Sequence, residues 1–375
     1  MNLLDALKKG VLNLPTEYGS TTTFTDFVNN TLSDYINFIK KINEGTIVKK
    51  LKSEIPAIET LCNSIIESFA KLYLGFPNQS YNSFAEGMNV VAPFVLKHAH
   101  THPLSETRVY FRARSSEKHL LVNEMFHLPF DQRERATTQR FSIPGFPCLY
   151  LGSSSYVCWE ELNRPAFENF YVSRFEIEGL NSYLKLRTLD ISQTPQRMMA
   201  MIEATLEVTK SVDNWDDLVI DYLVKWPLIF SATIKVRYGD RNFKPEYVIP
   251  QYLLIWAREN GRIDAIKYFS VKTHLNQKID SSSFWNVVIP VQESKNDGFC
   301  STLFSIFKLT APVRVADIDE TQPKVKSDVE NYIMKFHPDP SVLLSPLKDF
   351  PTLFTDSKFG RTDMYLCKQV AESLC

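Results

Sequence analysis

The chain has 375 residues, of which 44% are hydrophobic and 23% charged, so it is long enough for two compact units and is not a disordered polymer. Its 42 Lys and Arg residues against 43 Asp and Glu residues give a net charge of −1, which disfavours nucleic acid as a partner. Only 12 residues are glycine, and they form neither a G-x-G-x-x-G nor a Walker-type loop, so the common glycine cradles for nucleotides are excluded.

Signals for secretion and membrane insertion are absent from the sequence. Asp5 interrupts what would be the apolar region of a signal peptide, and the most apolar stretch, residues 252–257, is far shorter than the roughly 20 residues that span a bilayer. The six cysteines are scattered without a C-x-x-C pair, which is typical of thiols in a reducing compartment. We therefore expect a cytoplasmic protein that does not bind membranes.

Residues 1–103 are predicted to form an α-helical N-terminal domain. Apolar residues recur at i, i+3 and i+4 with glycine and proline between the periodic segments, which predicts helices at 27–42, 47–74 and 81–98. An H-x-H-x-H alternation follows at 98–102. Because no cysteine accompanies it and Pro103 comes next, we interpret it as a polar loop or strand edge rather than a metal site.

Residues 104–313 change to short apolar strands that alternate with helices, which places this region in the α+β or α/β class. The predicted strands lie at 107–114, 146–154, 171–177, 182–191, 265–272, 286–291 and 301–309. The predicted helices lie at 155–163, 196–212, 215–230 and 250–260. Residues 314–375 are predicted to be a C-terminal helical and proline-rich extension, with a helix at 326–336.

The first predicted strand carries an unusual concentration of positive charge. Alternation places Arg108, Tyr110, Arg112 and Arg114 on one face of the strand. Guanidinium groups on one face repel each other unless an anion lies opposite, and arginine donates in pairs to phosphate oxygens. The segment is therefore either a solvated edge strand or one wall of a pocket for a phosphate-bearing ligand.

Two adjacent glutamates near the end of the helix predicted at 155–163 are distinguished by helical geometry. At 100° per residue, Glu160 points toward Arg164 four positions later, where a solvated ion pair is expected. Glu161 falls within the apolar arc of the same helix. Since a carboxylate on an apolar face is costly unless it is paired or functional, Glu161 is the predicted functional residue.

Three stretches of the sequence resemble the RES family, which is named for its Arg, Glu and Ser. They are FRAR at 111–114, QRFSIPGFPCLYLGSSSYVCWEEL at 139–162 and GRIDAIKYFS at 261–270. The resemblance covers roughly residues 104–290. Members of this family are NAD-degrading toxins of bacterial toxin–antitoxin pairs and of some stand-alone defence proteins. The resemblance implies an α+β fold with a bent, split β-sheet around an NAD cleft, similar to that of ADP-ribosyltransferases.

The resemblance also implies roles for individual residues. The catalytic residues that it implies are Arg112, Glu161 and Ser270. Ser270 ends a strand similar to the family's D-G-I-x-Y-x-S pattern, with Ala265 in place of the glycine. The substrate-binding residues that it implies are Arg140, Tyr110, Arg114 and Tyr150. No metal ion is implied.

The implied chemistry is cleavage of the nicotinamide–ribose bond of NAD+. Such cleavage passes through an oxocarbenium-like state, which Glu161 would stabilise, and the cationic nicotinamide leaves without a general acid. Arg112 and Arg140 would clamp the pyrophosphate, Tyr110 or Tyr150 would stack on a ring, and Ser270 would donate to the ribose or the amide. The sequence leaves the acceptor open among water, inorganic phosphate and a protein side chain.

We therefore expect an NAD glycohydrolase or NAD phosphorylase that acts as a bacterial toxin or defence effector. Its expected partners are NAD+ and an antitoxin or regulatory protein. Two alternatives remain open: an ADP-ribosyltransferase that modifies a protein, and an inactive RES-like module whose helical region binds a partner. Glu161→Ala is expected to abolish turnover, and Glu160→Ala to leave most of it.

Overall fold

The computed structural model describes most of the chain and divides it into two compact units. The described residues are 7–19, 21–44, 48–97, 109–177, 186–199, 202, 215–237, 241–273, 284–319, 343–344 and 352–374. The helical unit consists of Met1–Thr101, Gln139–Ser142 and Leu189–Ile263, and the sheet unit of His102–Thr138, Ile143–Thr188 and Asp264–Cys375. Each unit thus combines distant parts of the sequence. The division into regions 1–103, 104–313 and 314–375 stays a prediction.

Helices and strands both contribute to the described residues, so the α+β class is confirmed. The helices include α1 (Phe24–Lys40), α2 (Val48–Tyr73), α3 (Pro77–Lys97), α4 (Ser155–Glu161), α5 (Trp215–Ala232), α6 (Val248–Asn260), α7 (Ser301–Ile306) and α8 (Lys358–Lys368). The strands include β1 (Glu17–Tyr18), β2 (Val109–Ser115), β3 (Cys148–Gly152), β4 (Phe170–Ile177), β5 (Thr188–Ile191), β6 (Lys235–Val236), β7 (Ala265–Phe269), β8 (Trp285–Pro290), β9 (Phe307–Leu309), β10 (Val313–Arg314), β11 (Leu343–Leu344), β12 (Thr352–Leu353) and β13 (Glu372–Ser373). None of the described helices combines the length and apolar character that a membrane crossing requires.

The predicted elements are confirmed where the structure describes them, with one exception. The segment predicted as a strand at 301–309 begins as α7 and becomes β9 only at Phe307. Leu303 and Ile306 are both buried and lie three residues apart, a spacing that fits a helical turn as well as an apolar run. The H-x-H-x-H segment, Arg108, most of the helix predicted at 196–212 and the helix predicted at 326–336 lie outside the described residues.

The helical unit is held together by close packing of small residues and by buried aromatic rings. Gly87 on α3 faces Ser64 on α2 so closely that a Cβ atom at Gly87 would lie 2.5 Å from the Ser64 Cβ. Tyr35 on α1 stacks on Trp226 of α5 with ring centroids 4.2 Å apart. The Trp226 Nε1–H donates to the carbonyl of Leu12 at 3.2 Å. Segments about 200 residues apart therefore share one core.

The sheet unit is built on an antiparallel sheet that is split near its middle. Its strand order is β13-β9-β4-β2-β3-β8-β7, and β10 pairs with β4. Strand β2 pairs with β4 along its whole length, from Val109 opposite Glu176 to Ser115 opposite Phe170. In contrast, β2 pairs with β3 at a single position, Phe111 opposite Gly152. The two halves of the sheet are thus joined at one paired position.

Each face of the sheet is covered by a separate apolar core. One face buries a cluster that includes Tyr110, Leu149 and Val287. The opposite face buries Phe111 and other residues beneath α4 and α8. Alternation along the strands assigns each side chain to one of these two faces.

Helix α4 is fixed at its N-terminus by side chains from inside and outside the helix. The Ser154 hydroxyl caps it by accepting from the Val157 N–H. The Ser155 N–H donates to the Asp363 carboxylate of α8 at 3.1 Å, and the Ser155 hydroxyl donates to the Phe359 carbonyl at 3.2 Å. These bonds set the direction in which α4 delivers its last residue, Glu161.

Candidate active site

The side chains of Ser270 and Asn286, from two other segments of the sheet unit, meet the Glu161 carboxylate. The Ser270 hydroxyl donates to Glu161 Oε1 at 2.8 Å, and Asn286 Nδ2 donates to the same oxygen at 2.9 Å. Ser270 is 1% and Asn286 5% exposed, whereas the Glu161 side chain is 32% exposed. Two of the three predicted catalytic residues, Glu161 and Ser270, are thus in direct contact.

The two oxygens of the Glu161 carboxylate have different surroundings. Oε1 accepts two hydrogen bonds from buried neutral donors. Within the described part of the chain, no donor reaches Oε2 at hydrogen-bond distance, and the nearest cation, Lys272 Nζ, lies 3.7 Å away. The two hydrogen bonds to Oε1 therefore orient the carboxylate, and Oε2 is the oxygen that can face a ligand.

Strand register explains how Asn286 reaches this site. Asn286 on β8 lies opposite Gly152 on β3 and Tyr268 on β7. Because directly paired residues point to the same face of a sheet, Tyr150, Tyr268 and Asn286 share one face. This is the face that α4 covers, and Ser270 follows β7 on it.

Arg112 lies at the split between β2 and β3. Its Nη1 donates to the Tyr150 carbonyl at 2.9 Å, where strand pairing has ended, and its buried Nε has no partner among the residues that the structure describes. Burial, and secondly the charge of Arg114, lower the pKa of Arg112 to about 10, so the guanidinium remains charged at neutral pH. A half-buried cation whose buried Nε–H has no partner among the described residues is a group that an anion would stabilise.

Arg114 follows Arg112 on the same face of β2. By strand register this is the face of Tyr110, opposite the face of Asn286, so Arg112 is not brought into contact with the Glu161 carboxylate. Its Nη1 donates to the Glu124 carbonyl at 2.5 Å. Burial and the nearby charge of Arg135 lower the pKa of Arg114, and Glu124 partly offsets this. The guanidiniums of Arg112 and Arg114 thus bond to carbonyl oxygens, which leaves their positive charge uncompensated by these contacts.

The two predicted ring-stacking tyrosines occupy opposite faces of the sheet. Tyr110 is fully buried in the apolar core beside Trp285, with ring centroids 5.9 Å apart. Tyr150 shares the face of Asn286, and burial raises the pKa of Tyr150 well above its ordinary value. Of these two rings, Tyr150 is the one on the side of the Glu161 carboxylate.

Arg140 belongs to the helical unit. Its guanidinium donates to the backbone carbonyls of Ala232, Ile234 and Glu246 at 3.0–3.2 Å and lies over the Tyr247 ring. These contacts bind the guanidinium to the chain after α5. The predicted role of Arg140 as a pyrophosphate clamp stays a prediction.

The predicted exposures of the two adjacent glutamates are wrong. Glu160 does pair with Arg164, at 2.9 Å and 3.0 Å, but the Glu160 side chain is 2% exposed and is the buried member. Glu161 is the half-exposed one. Helix α4 ends at Glu161, and Arg164 folds back so that its N–H donates to the Trp159 carbonyl, so an extrapolated helical wheel does not apply.

Two residues of this site were not predicted from the sequence. Asn286 lies in an apolar run whose register against β3 and β7 the sequence does not reveal. Lys272 lies two positions after Ser270, and this closeness to the predicted catalytic serine is the feature of the sequence that indicates it. Among the described residues, no group of three or more His, Cys, Asp or Glu is placed to hold a metal ion.

The fold and this site define an α+β protein with a carboxylate site in its sheet unit. No protein-family model matches the chain, and no solved structure matches it. The chain is 33% identical over 311 residues to a protein of Bacillus subtilis (strain 168) named "Putative toxin YopC", an alignment that covers 80% of this chain and 68% of that protein. The chain belongs to the family of that protein, and the relative's name suggests a family of toxins.

Proposed function

We propose that the protein is a toxin that consumes NAD+ by cleaving its nicotinamide–ribose bond, with a RES-like core related to ADP-ribosyltransferases. The observation that carries the proposal is the Glu161 carboxylate, held by Ser270 and Asn286 with Oε2 left for a ligand. The split between β2 and β3, with Arg112 at its edge, is consistent with a cleft for a dinucleotide. The relative's name supports the toxin part of the proposal.

In the proposed reaction the bond between ribose C1′ and the nicotinamide nitrogen breaks heterolytically. The electron pair goes to the pyridinium ring, so neutral nicotinamide leaves without being protonated. Positive charge develops on the ribosyl ring, and Glu161 Oε2 stabilises it. A nucleophile then bonds to C1′ and loses its proton to solvent.

Two features of the site fit these demands. Ser270 and Asn286 fix Oε1, so the carboxylate need not reorganise when charge develops opposite Oε2. Arg112 supplies a half-buried cation at the split in the sheet, and its Nε–H, which has no partner among the described residues, suits one oxygen of a pyrophosphate. The proposed place of action is the cytoplasm, where an antitoxin would restrain the activity.

The test is nicotinamide release from NAD+ by the purified protein, with and without inorganic phosphate. Glu161→Gln keeps the shape of the side chain but removes its charge, and we expect release to fall by about 100-fold or more. Glu168→Gln is the matched control, because Glu168 is exposed on a 3-10 turn of the same unit, and it should leave release unchanged.

Several outcomes separate the alternatives. If the folded protein releases no nicotinamide with or without phosphate, the proposed enzymatic activity is wrong and the result favours a partner-binding module. Label from NAD+ that appears on a protein would favour an ADP-ribosyltransferase. In cells, expression of the unaltered chain should stop growth and deplete NAD+, while the Glu161→Gln variant should do neither.

A further inference from the structure

Lys272 connects two of the three segments that build the carboxylate site, those of Glu161 and Ser270. Its ammonium donates to the Glu161 backbone carbonyl at 2.9 Å and to Asn163 Oδ1 at 3.1 Å, and it lies 3.7 Å from Glu161 Oε2. Lys272 follows Ser270 by two residues, and the Thr273 hydroxyl closes this segment by donating to the Ser270 carbonyl at 3.2 Å. The strand end that carries Ser270 is thus tied to the helix end that carries Glu161.

The backbone that Lys272 contacts adopts an unusual conformation. Asn163 and Arg164, directly after α4, both have φ of 59°, in the left-handed region that is unfavourable for residues with a Cβ atom. Backbone strain of this kind persists only where surrounding contacts enforce it, and it clusters at functional sites. The turn therefore needs anchors.

Two cations anchor this turn from different directions. Arg164 forms a two-point ion pair with the buried Glu160 carboxylate, and its guanidinium lies over the Trp159 ring. That anchor secures the turn to its own helix. Lys272 supplies the second anchor and is the one that reaches across to the other segment of the site.

The carbonyl that Lys272 engages is at the C-terminal end of α4. Carbonyls in the last turn of a helix lack partners within the helix and carry partial negative charge, so an ammonium there is favourable. Because the bonded carbonyl belongs to Glu161 itself, the contact fixes the Cα from which the carboxylate extends. The 3.7 Å approach to Oε2 is too long for a hydrogen bond but places a positive charge beside this oxygen.

We propose that Lys272 is a positioning residue for Glu161: it holds the end of α4 and directs Oε2 toward the ligand. This inference rests on the proposed function, because it assigns Lys272 a part in the same reaction. Lys272 does not bond to Oε1, which Ser270 and Asn286 occupy. Its contribution is to the direction of the carboxylate, which affects turnover more than the binding of substrate elsewhere in the site.

The test compares Lys272→Met, which keeps the length of the side chain but removes the charge and the donors, with Lys272→Arg, which keeps both. Lys118→Met is the control, because Lys118 is an exposed lysine of the same unit. We expect Lys272→Met to lower kcat for nicotinamide release by about tenfold to 100-fold with KM changed by less than about twofold. Lys272→Arg should recover most of this loss, and Lys118→Met should behave as the unaltered protein.

A second measurement reads the position of α4 without relying on activity. The Asn163 N–H donates to the Glu160 carbonyl at 3.1 Å, and the Arg164 N–H donates to the Trp159 carbonyl at 2.9 Å. In Lys272→Met, hydrogen exchange of these two amides should accelerate by about tenfold, with no change in Lys118→Met. Unchanged exchange, or an unchanged kcat in a protein that releases nicotinamide, would overturn the inference.

The two proposals fail in different ways. If the unaltered protein releases no nicotinamide while exchange accelerates in Lys272→Met, Lys272 positions α4 but the proposed reaction is wrong. If Lys272→Met lowers the melting temperature and the total activity, while kcat per folded molecule is unchanged, Lys272 is only a stabilising residue. The inference is then overturned.

Discussion

His127 illustrates how the surroundings of one residue fix its protonation state. It is 1% exposed, its Nε2 accepts from the Cys300 N–H at 2.9 Å, and its Nδ1 donates to the Leu128 carbonyl at 2.8 Å. A proton on Nε2 would face another N–H group. Burial lowers the pKa of His127 to about 4; the bond to Leu128 opposes this shift and the charge of Arg112 adds to it. The ring is therefore neutral in the folded protein at neutral pH.

This arrangement predicts a loss of stability in mild acid. Above pH 6.5 the ring is neutral in both states, and as the pH falls toward 4 the unfolded chain takes up a proton that the folded protein does not. The free energy of unfolding should decrease by about 2 kcal/mol between pH 7 and pH 5 from this residue. Urea unfolding of His127→Gln should lack this part of the decrease. In His119→Gln, which alters an exposed histidine, the decrease should be retained, and an identical pH dependence in all three proteins would contradict the argument.

The α2–α3 pair depends on the absence of a side chain at Gly87. A Cβ atom there would lie 2.5 Å from the Ser64 Cβ, 2.7 Å from the Ser64 Oγ and 3.4 Å from the Leu61 Cα. Ser64 is 9% exposed and belongs to a helix, so it has little freedom to move away. The close approach of these two helices is thus specified by two small residues that face each other.

Gly87→Ala should destabilise the protein by about 1–3 kcal/mol because the helices must separate, although alanine favours the helical conformation by about 1 kcal/mol. Gly19→Ala is the control, since among the described residues no atom beyond its chain neighbours lies within 4 Å of the added Cβ, and its effect should stay within about 0.5 kcal/mol. Thermal unfolding measures both. Adding Ser64→Gly to Gly87→Ala should restore part of the loss, and failure to do so would show that the helices do not approach as described.

At the level of elements, the sequence predicts the helices and strands in which the helical or strand spacing of apolar residues continues along the whole element. The long amphipathic helices and the β2, β3 and β8 strands are confirmed. Residues 301–309 were wrongly predicted because a short apolar run fits both periods. The contact of Glu161 with Asn286 depends on strand register, and the burial of Glu160 depends on a turn with two positive φ angles. Neither property is encoded in local periodicity.

For the molecule as a whole, the sequence order of helices does not reveal which of them share a core. Tyr35 of α1 donates its hydroxyl to the Leu223 carbonyl of α5 and stacks on Trp226. Trp226 and Leu223 are both fully buried. Helix α1 therefore buries Tyr35 against a segment that follows in the sequence more than 100 residues later.

A fragment of residues 1–103 should accordingly not fold by itself. Without α5 and α6, the apolar residues around Tyr35 are exposed. The free energy of unfolding of a bundle of this size is small, so this exposure is enough to unfold it. Circular dichroism and a thermal scan should show partial helicity with no cooperative transition. Mixing the fragment with a second one that spans 189–263 should restore a transition, and cooperative unfolding of 1–103 alone would refute the prediction.

The bond between Ser155 and Asp363 joins residues 208 positions apart, and it has a consequence for the timing of synthesis. During translation, the ribosome makes the residues of α4 long before the segment that docks its N-terminus. A nascent chain that has not reached residue 363 lacks the carboxylate that receives the Ser155 N–H. A Glu161 whose helix is docked in this way therefore forms only after residue 363 has been translated, and translation that stops before that residue yields a product without this support.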